Sequence, residues 1–256
     1  MLTTDLVLVT YPPDYEWLQF LFRSLPRMTG WRDLLVIIEE GDEVPPLPAG
    51  ARLIRCQRYR GSNMPAPARG PGHLGQQIEK MGSWRHTDAE RILWLDSDIV
   101  VCRPVDIQSD ESISLERPWV YPCRWDHAGA CAVHRAGTAA LLGFDAPGET
   151  MCRHPFVLPR WLVEECWHAV GGQQGIMGAP ETSEFNVLMS YAMVRHPEAV
   201  RVAWHEHETL RDPVTWEVIG EMLPKCMAQF YSKAGVAESM NTIKEFGLDV
   251  DLGESK

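Results

Sequence analysis

Two aspartates, Asp96 and Asp98, stand two residues apart inside an otherwise apolar stretch of the chain, between residues 92–95 and 99–102. Burying ionised carboxylates is costly unless a partner compensates their charge. Mg²⁺ and Mn²⁺ are natural partners because they prefer carboxylate oxygens and leave coordination positions open for phosphate. The alternative is a turn in which the aspartates accept hydrogen bonds from backbone amides. The spacing therefore predicts a cation site for phosphate chemistry or a plain turn.

The elements around this pair form an α/β pattern, in which Asp14 is predicted to cap the first helix. Apolar runs and helical spacing predict strands over 5–9, 34–38, 51–54 and 91–95 and a helix over 75–82. Later segments predict strands over 119–121, 129–133 and 200–204 and helices over 159–170, 184–194 and 236–246. The order is typical of a single-domain wound α/β sheet, whose ligands bind at the carboxyl ends of the strands. Asp96 and Asp98 follow such a strand end.

A strand that ends in Asp96-Ser97-Asp98 resembles the D-x-D motif of GT-A fold glycosyltransferases. Residues 72–80 also resemble the G-x-x-x-Q-Q-x-x-K helix of an uncharacterised bacterial and phage glycosyltransferase-like family. Two later segments, Arg153-His154-Pro-Phe156 and Ser183-Glu184-Phe185, resemble that family as well. The chain departs from it where Arg153 replaces one of two paired histidines and Phe185 replaces a tyrosine. The resemblance spans roughly residues 5–205.

This resemblance implies a single GT-A-like domain over 1–256, with a Rossmann-type mixed sheet flanked by helices. Residues 1–110 would bind the nucleotide sugar, and residues 111–256 would bind the acceptor and include a C-terminal tail. The implied activity is a metal-dependent hexosyl or pentosyl transfer from a donor such as a UDP-sugar to a hydroxyl group. The implied donor-binding residues are Thr10, Tyr11, Gln76, Lys80, Asp96 and Ser97.

The donor-binding residues also have simpler interpretations. Gln76 and Lys80 are four residues apart and share a helix face, from which Lys80 could reach a phosphate and Gln76 the nucleoside. The same spacing is typical of an exposed polar face. Thr10 and Tyr11 follow the first strand, where a GT-A fold holds the base, and they equally suit an ordinary strand-ending turn.

The cation is expected to be Mn²⁺ or Mg²⁺, bound by Asp96 and Asp98. GT-A enzymes commonly add a C-terminal histidine as a third ligand, and His205 and His207 are the candidates here. Mg²⁺ binds imidazole less readily than Mn²⁺, so a histidine ligand favours Mn²⁺. The alternative is a pair of surface histidines at a strand end, and the choice between the two histidines stays open.

If the transfer inverts the anomeric centre, a base must deprotonate the acceptor hydroxyl. Glu184 is the first candidate, followed by His154 and then Asp126. Glu184 could instead be an acid in the first turn of a helix, and His154 a core histidine. A retaining enzyme needs no such base, and the sequence does not distinguish the two outcomes.

Two other functions compete with glycosyl transfer. Residues 70–75 match the G-x-G-x-x-G pattern of dinucleotide-binding proteins, with Asp96 about 20 residues later, which suggests an NAD-dependent oxidoreductase. The proline-containing segment over 62–69 cannot supply the strand that this pattern requires. The third possibility is a non-catalytic binding module with a degenerate site.

Composition restricts the partners of the chain. It has 256 residues, 45% of them hydrophobic, and a formal net charge of −11, which argues against a general nucleic-acid binder. No acid occurs between Glu43 and Glu79, a segment that contains Arg52, Arg55, Arg58, Arg60 and Arg69. This segment permits a polyanionic acceptor, including hydroxymethylated bases of phage DNA, besides a glycan or a small molecule. It could equally be a solvated surface.

The location of the protein is predicted from what the chain lacks. No apolar run is long enough for a membrane anchor, and the N-terminus has no basic segment of the signal-peptide kind. Seven cysteines without a C-x-x-C pair fit a reducing compartment, so we expect a cytoplasmic protein. The oligomeric state stays open.

Overall fold

The computed structural model describes residues 1–59, 73–101, 103–111, 113–150, 156–179, 181–204 and 227–229. The strands are β1 (Thr4–Val9), β2 (Met28–Thr29), β3 (Leu34–Glu39), β4 (Arg52–Cys56), β5 (Arg91–Leu95), β6 (Ile99–Val101), β7 (Val105–Asp106), β8 (Trp119–Val120), β9 (Phe156–Pro159), β10 (Arg201–Val202) and β11 (Met227–Gln229). The helices are α1 (Tyr15–Ser24), α2 (His73–Met81), α3 (His134–Leu142), α4 (Arg160–Ala169), α5 (Gly172–Gly178) and α6 (Glu184–Arg195).

The central sheet has the order β4-β3-β1-β5-β9, in which the first four strands are parallel and β9 is antiparallel to β5. The chain runs from β1 outward to β3 and β4, then crosses back through α2 to β5 on the other side of β1. The mixed, Rossmann-like sheet flanked by helices confirms the predicted fold class. The strand order reverses between β1 and β5, and ligands of such sheets bind outside the carboxyl ends of the strands at this position.

Both faces of the sheet are covered, as the continuous apolar character of its strands predicts. Leu6 and Leu8 of β1 pack in the cluster that includes α1, whereas Val7 and Val9 pack in the cluster that includes α2, α4 and α6. This alternation fixes the register of β1, because a slip by one residue would exchange the two sets. The carboxyl ends of β1 and β5 are thereby held side by side, with Leu8 opposite Leu95.

Two expectations for local structure are wrong, one for residues 129–133 and one for Asp14. Residues Gly129–Val133 form a 3₁₀ turn leading into α3 and not a strand, because their small side chains include a single β-branched residue. The helix expected over 159–170 is confirmed as α4, and Pro159 at its start is also the last residue of β9. Asp14 precedes α1 but makes no side-chain capping bond. The helix predicted over 236–246 lies outside the described residues.

No helix within the described part of the chain is long and apolar enough to cross a membrane.

Candidate active site

The candidate site centres on Lys80, whose side chain is only 6% exposed. Its Nζ atom donates hydrogen bonds to Asp96 Oδ1 at 2.6 Å and to Glu184 Oε1 at 2.8 Å. The same ammonium group lies 4.6 Å from the centre of the Phe185 ring. Lys80 therefore joins the D-x-D turn to the start of α6, two segments that the chain separates by almost ninety residues.

The charge of Lys80 depends on these two partners. Burial by itself lowers the pKa of a lysine, but the carboxylates of Asp96 and Glu184 more than offset this and hold the pKa of Lys80 above its ordinary value. A buried ammonium between two carboxylates therefore stays protonated. This geometry excludes the exposed polar helix face as an explanation of Lys80.

Helix α2 is fixed to β5 next to this ammonium group. The indole of Trp94, which is fully buried, donates to the carbonyl oxygen of Lys80 at 3.1 Å and to Ser83 Oγ at 3.1 Å. The Ser83 hydroxyl in turn donates to the carbonyl oxygen of Lys80 at 2.7 Å. The last turn of α2 is thus tied to the strand that leads into Asp96, so these contacts fix the backbone of Lys80 relative to the D-x-D turn.

The D-x-D segment forms a turn after β5, closed by the amide of Ile99 donating to the carbonyl oxygen of Asp96 at 3.2 Å. Asp96 and Asp98 are half-buried, and Ser97 is buried with its hydroxyl 2.9 Å from Thr10 Oγ1. The hydrogen bond from Ser97 to Thr10 connects the carboxyl ends of β5 and β1 at the point where the strand order reverses. Thr10 and Ser97, both predicted to bind the donor, therefore lie next to each other.

Asp14 lies at this site, although its position before α1 predicts a helix cap. Its carboxylate accepts hydrogen bonds from the side chains of Gln76 and Tyr11 and interacts electrostatically with Asp96 and Lys80. Burial, followed by repulsion from Asp96, raises the pKa of Asp14 from 3.8 to about 6. Asp14, Asp96 and Glu184 thus place three carboxylates around one ammonium group, with Asp98 two residues from Asp96.

The carboxylates at this site outnumber the single ammonium group, and this excess of negative charge is compatible with a divalent cation. Carboxylates that repel one another in a half-buried setting are stabilised by a cation, and oxygen ligands suit Mg²⁺ and Mn²⁺. Among the described residues, no three His, Cys, Asp or Glu side chains already form a metal-binding group. The predicted ligands His205 and His207 lie outside the described residues, as does the candidate base His154.

A small pocket opens beside the carboxylates at the same edge of the sheet. It encloses about 220 Å³ when the open solvent at its mouth is included. Its walls come from the ends of three strands and the first turns of α2: Val9, Thr10, Tyr11, Ile37, Ile38, Glu39, Cys56, Gly75 and Gln76.

Glycine at position 75 lets α2 approach the end of β3. A Cβ atom there would lie 2.6 Å from Glu39 Oε1, so only glycine fits without a shift of the glutamate. Burial raises the pKa of Glu39, which also pairs with Arg58 at 3.2 Å. Thr10, Tyr11 and Gln76, predicted for the nucleoside, share this pocket.

Glu184 begins α6, is 8% exposed and is the acidic residue in the first turn of that helix. From this position its carboxylate also contacts Lys80. The neighbouring Phe185 stacks on Phe156 of β9 with ring centres 3.6 Å apart, which seats the start of α6 against the sheet. Asp126, in contrast, is mostly exposed and pairs with Arg124 at 3.0 Å. Of these two predicted bases, Glu184 is the one that contacts the Lys80 ammonium.

The arginine-rich segment is largely neutralised where the structure describes it. Arg52 pairs with Asp33 at 3.3 Å, and Arg58 pairs with both Glu39 and Asp42. Arg55 donates to the carbonyl oxygen of Asp42 at 3.2 Å. These contacts favour the solvated-surface interpretation over an anion-binding face. Arg60 and Arg69 lie outside the described residues.

The strand order of the sheet also disagrees with the dinucleotide-binding pattern. Its last glycine, Gly75, lies inside α2, and the strand before that helix is β4 at the edge of the sheet. Asp96 follows β5, which β3 and β1 separate from β4. In a dinucleotide site the acidic residue follows the strand next to the glycine loop, so the arrangement disfavours NAD binding.

We expect Asp14→Asn to stabilise the protein at about pH 8 by roughly 1–2 kcal/mol, allowing for partial exposure of the side chain. The folded state holds the Asp14 proton up to about pH 6, whereas the pKa of the unfolded chain is 3.8. Ionisation of Asp14 therefore destabilises the fold progressively between these values and fully above them. Thermal melts across this range should show the advantage of the variant growing with pH and vanishing below about pH 4.

Asp145→Asn is the matched control for this experiment. Asp145 pairs with Arg135 on the surface, and its hydrogen bond with that arginine lowers its pKa. Its replacement should give no stabilisation at any pH. A pH-independent loss of stability in Asp14→Asn would contradict the assigned repulsion.

The site thus combines a D-x-D turn, a buried lysine and a glutamate at the switch point of a Rossmann-like sheet. No protein family matches the chain by its sequence profile, and no curated protein is significantly similar to it.

Proposed function

We propose that the chain is a metal-dependent glycosyltransferase of the GT-A type, which moves a hexosyl or pentosyl group from a nucleotide sugar to a hydroxyl acceptor. UDP is the expected nucleotide, as the resemblance in the D-x-D and Q-Q-x-x-K segments implies. The observation that carries the proposal is the contact of Lys80 with Asp96 and Glu184 at the strand switch point. It supports the proposal because an ammonium group, a carboxylate of the D-x-D turn and the carboxylate proposed as the base lie within hydrogen-bond distance.

The donor half of the proposed site lies at the carboxyl ends of the strands. The nucleoside would enter the pocket beside Thr10, Tyr11 and Gln76, which would direct its diphosphate toward Asp96 and Asp98. Glycosyl transfer builds negative charge on the departing diphosphate, and Lys80 is placed to stabilise that charge electrostatically. A divalent cation held by the two aspartates would supply Lewis-acid stabilisation of the same group.

The acceptor half would begin at Glu184. A carboxylate in this position can accept the proton of an acceptor hydroxyl if the reaction inverts the anomeric centre. His154 stays a second candidate for the base. The acceptor is proposed to be a glycan or a small molecule, since the described arginines of the basic segment are already paired with acidic residues or backbone carbonyl groups.

We propose the cytosol as the site of this reaction. Cys56, Cys123, Cys131 and Cys166 are buried free thiols, which fits a reducing compartment.

The proposal is tested by measuring the melting temperature with nucleotides and nucleotide sugars, with and without Mn²⁺. UDP or a UDP-sugar at a hundred times its Kd should add about 2.7 kcal/mol of stability, and EDTA should remove the effect. The same Mn²⁺-dependent samples should release UDP from the correct donor. Stabilisation by NADH that is insensitive to EDTA would contradict the proposal and favour an oxidoreductase. Absence of any nucleotide effect would favour a non-catalytic module.

A further inference from the structure

Lys80 contacts two groups with different proposed roles. Asp96 belongs to the cation site, and Glu184 is the candidate base of the acceptor half. The ammonium group lies within 2.8 Å of a carboxylate oxygen of each. A single positive charge therefore occupies the region in which a divalent cation would need the Asp96 carboxylate.

We propose that Lys80 is a built-in competitor for the divalent cation, which holds Asp96 and Glu184 together in the ligand-free protein and leaves both carboxylates when the cation and a diphosphate bind. This inference rests on the proposed function of the site. It assigns Lys80 a positioning role that couples the two halves, in addition to its expected contact with phosphate.

Charge repulsion is the reason for the competition. Two cations that share one carboxylate within a few ångströms repel each other strongly in a half-buried setting. Asp96 Oδ1 already accepts a charge-assisted hydrogen bond of 2.6 Å from Lys80, which competes with a metal ion for the electron density of that carboxylate. A diphosphate offers Lys80 new anionic oxygens, so its binding removes the cost of displacing the ammonium group. Cation and diphosphate should therefore bind cooperatively.

The backbone permits this movement. The carbonyl oxygen of Lys80 is held by Trp94 Nε1 and Ser83 Oγ, and neither bond involves the amino group. The side chain can consequently change partners while the last turn of α2 stays on β5. The exchange would free Glu184 from Lys80 only after the donor has bound, which delays activation of an acceptor or of water until donor binding is complete.

The experiment measures Mn²⁺ binding to the ligand-free protein by the electron paramagnetic resonance signal of free Mn²⁺. Lys80→Met removes the charge and keeps much of the length of the side chain. In the absence of nucleotide, we expect this variant to bind Mn²⁺ at least about tenfold more tightly than the wild type does. We also expect UDP to tighten Mn²⁺ binding strongly in the wild type and weakly in the variant, since the coupling is reciprocal.

Arg85→Met is the matched control. It removes a positive charge from the turn that follows α2, where Arg85 pairs with Glu79 at 3.4 Å and does not bridge the site. It should change the Mn²⁺ affinity by less than about twofold, as expected for a partly exposed charge that does not contact the ligands. Equal Mn²⁺ affinities of wild type and Lys80→Met would overturn the competition. Failure of both proteins to bind Mn²⁺, even with UDP, would instead overturn the proposed cation site and with it the proposed function.

A second measurement uses the wild-type fold, in case Lys80→Met does not fold with two uncompensated carboxylates. The chain has five lysines, and Lys80 is the only one within residues 1–204. With ¹⁵N-labelled lysine, its ammonium signal can be assigned by its absence in Lys80→Arg. Saturating Mg²⁺ and UDP should shift this signal in the wild type but not in Asp98→Asn. A signal that does not move when thermal melts show that both ligands are bound would overturn the proposal.

Discussion

Asp98→Asn should lower the rate of sugar transfer by about 10³-fold, which corresponds to about 4 kcal/mol of lost transition-state stabilisation. The substitution keeps the size of the side chain and one accepting oxygen, and it removes the charge that a divalent cation needs. The effect should fall on the turnover number, because the charge on the diphosphate grows as the bond to the sugar breaks. Initial rates of UDP release, measured over a range of Mn²⁺ concentrations, check this result.

The control for this prediction is Asp145→Asn, which removes one negative charge from a surface ion pair with Arg135. Its turnover number should match that of the wild type. If high Mn²⁺ restored Asp98→Asn fully, Asp98 would contribute to metal affinity alone. Full activity of Asp98→Asn at every Mn²⁺ concentration would contradict a metal-binding role and favour the alternative of a plain turn.

The sequence is sufficient to predict which residues lie around the end of β5, because they belong to local patterns. A continuous apolar strand predicts β5, and the strand end predicts the position of Asp96 and Asp98. The four-residue spacing correctly places Gln76 and Lys80 on one side of α2, near the carboxyl edge of the sheet. Each of these inferences uses residues that are neighbours in the chain or follow a general rule for parallel sheets.

The contact between Lys80 and Glu184 could not be predicted in this way, because 104 residues separate the two side chains. Glu184 is a candidate from the resemblance and from its place at the start of a predicted helix, and no local pattern indicates that it faces α2. The aromatic stack of Phe185 on Phe156 brings the start of α6 to the sheet, and the sequence patterns predict no strand over 156–159. β9 escaped detection because it is four residues long, contains Pro159 and continues directly into α4.

Asp14 shows how a sound local rule can miss a site residue. An aspartate before an amphipathic helix is ordinarily a cap, but a capping residue needs an extended backbone to reach the following amides. Asp14 has φ −95° and ψ −3°, since the 3₁₀ turn Pro12–Asp14 already winds the chain before α1. Two consecutive prolines are the signal for this early turn, because proline favours the first position of a helix. The carboxylate is thereby left to bond Tyr11 and Gln76.

The largest effect on stability is expected at the opposite edge of the sheet, for Asp5→Ala. The Asp5 side chain is fully buried and accepts hydrogen bonds from Arg32 at 2.9 and 2.8 Å, from the amide of Asp33 at 3.2 Å and from the Thr87 hydroxyl. These partners precede β3 and β5, so one carboxylate ties the beginnings of three adjacent parallel strands together.

Removing that carboxylate should destabilise the fold by about 3 kcal/mol, the lower end for a broken buried ion pair. The Asp33 amide and the Thr87 hydroxyl lose a buried acceptor, which causes the loss of stability. The loss stays at the lower end because Arg32 is 36% exposed and can be hydrated again. For a chain of this size the melting temperature should fall by about 6–12 °C. Thermal unfolding followed by circular dichroism measures the change.

Asp88→Ala is the matched control, because Asp88 pairs with the same arginine at 2.6 Å but is 89% exposed. Its loss should leave the melting temperature unchanged, since exposed ion pairs contribute little. Below its melting temperature, Asp5→Ala should bind Mn²⁺ as the wild type does, because Asp5 lies at the amino end of β1 and the proposed cation site lies beyond the carboxyl end of β5. Equal losses of stability in the two variants would mean that the charge of Arg32, and not the burial of Asp5, determines the contribution of this ion pair.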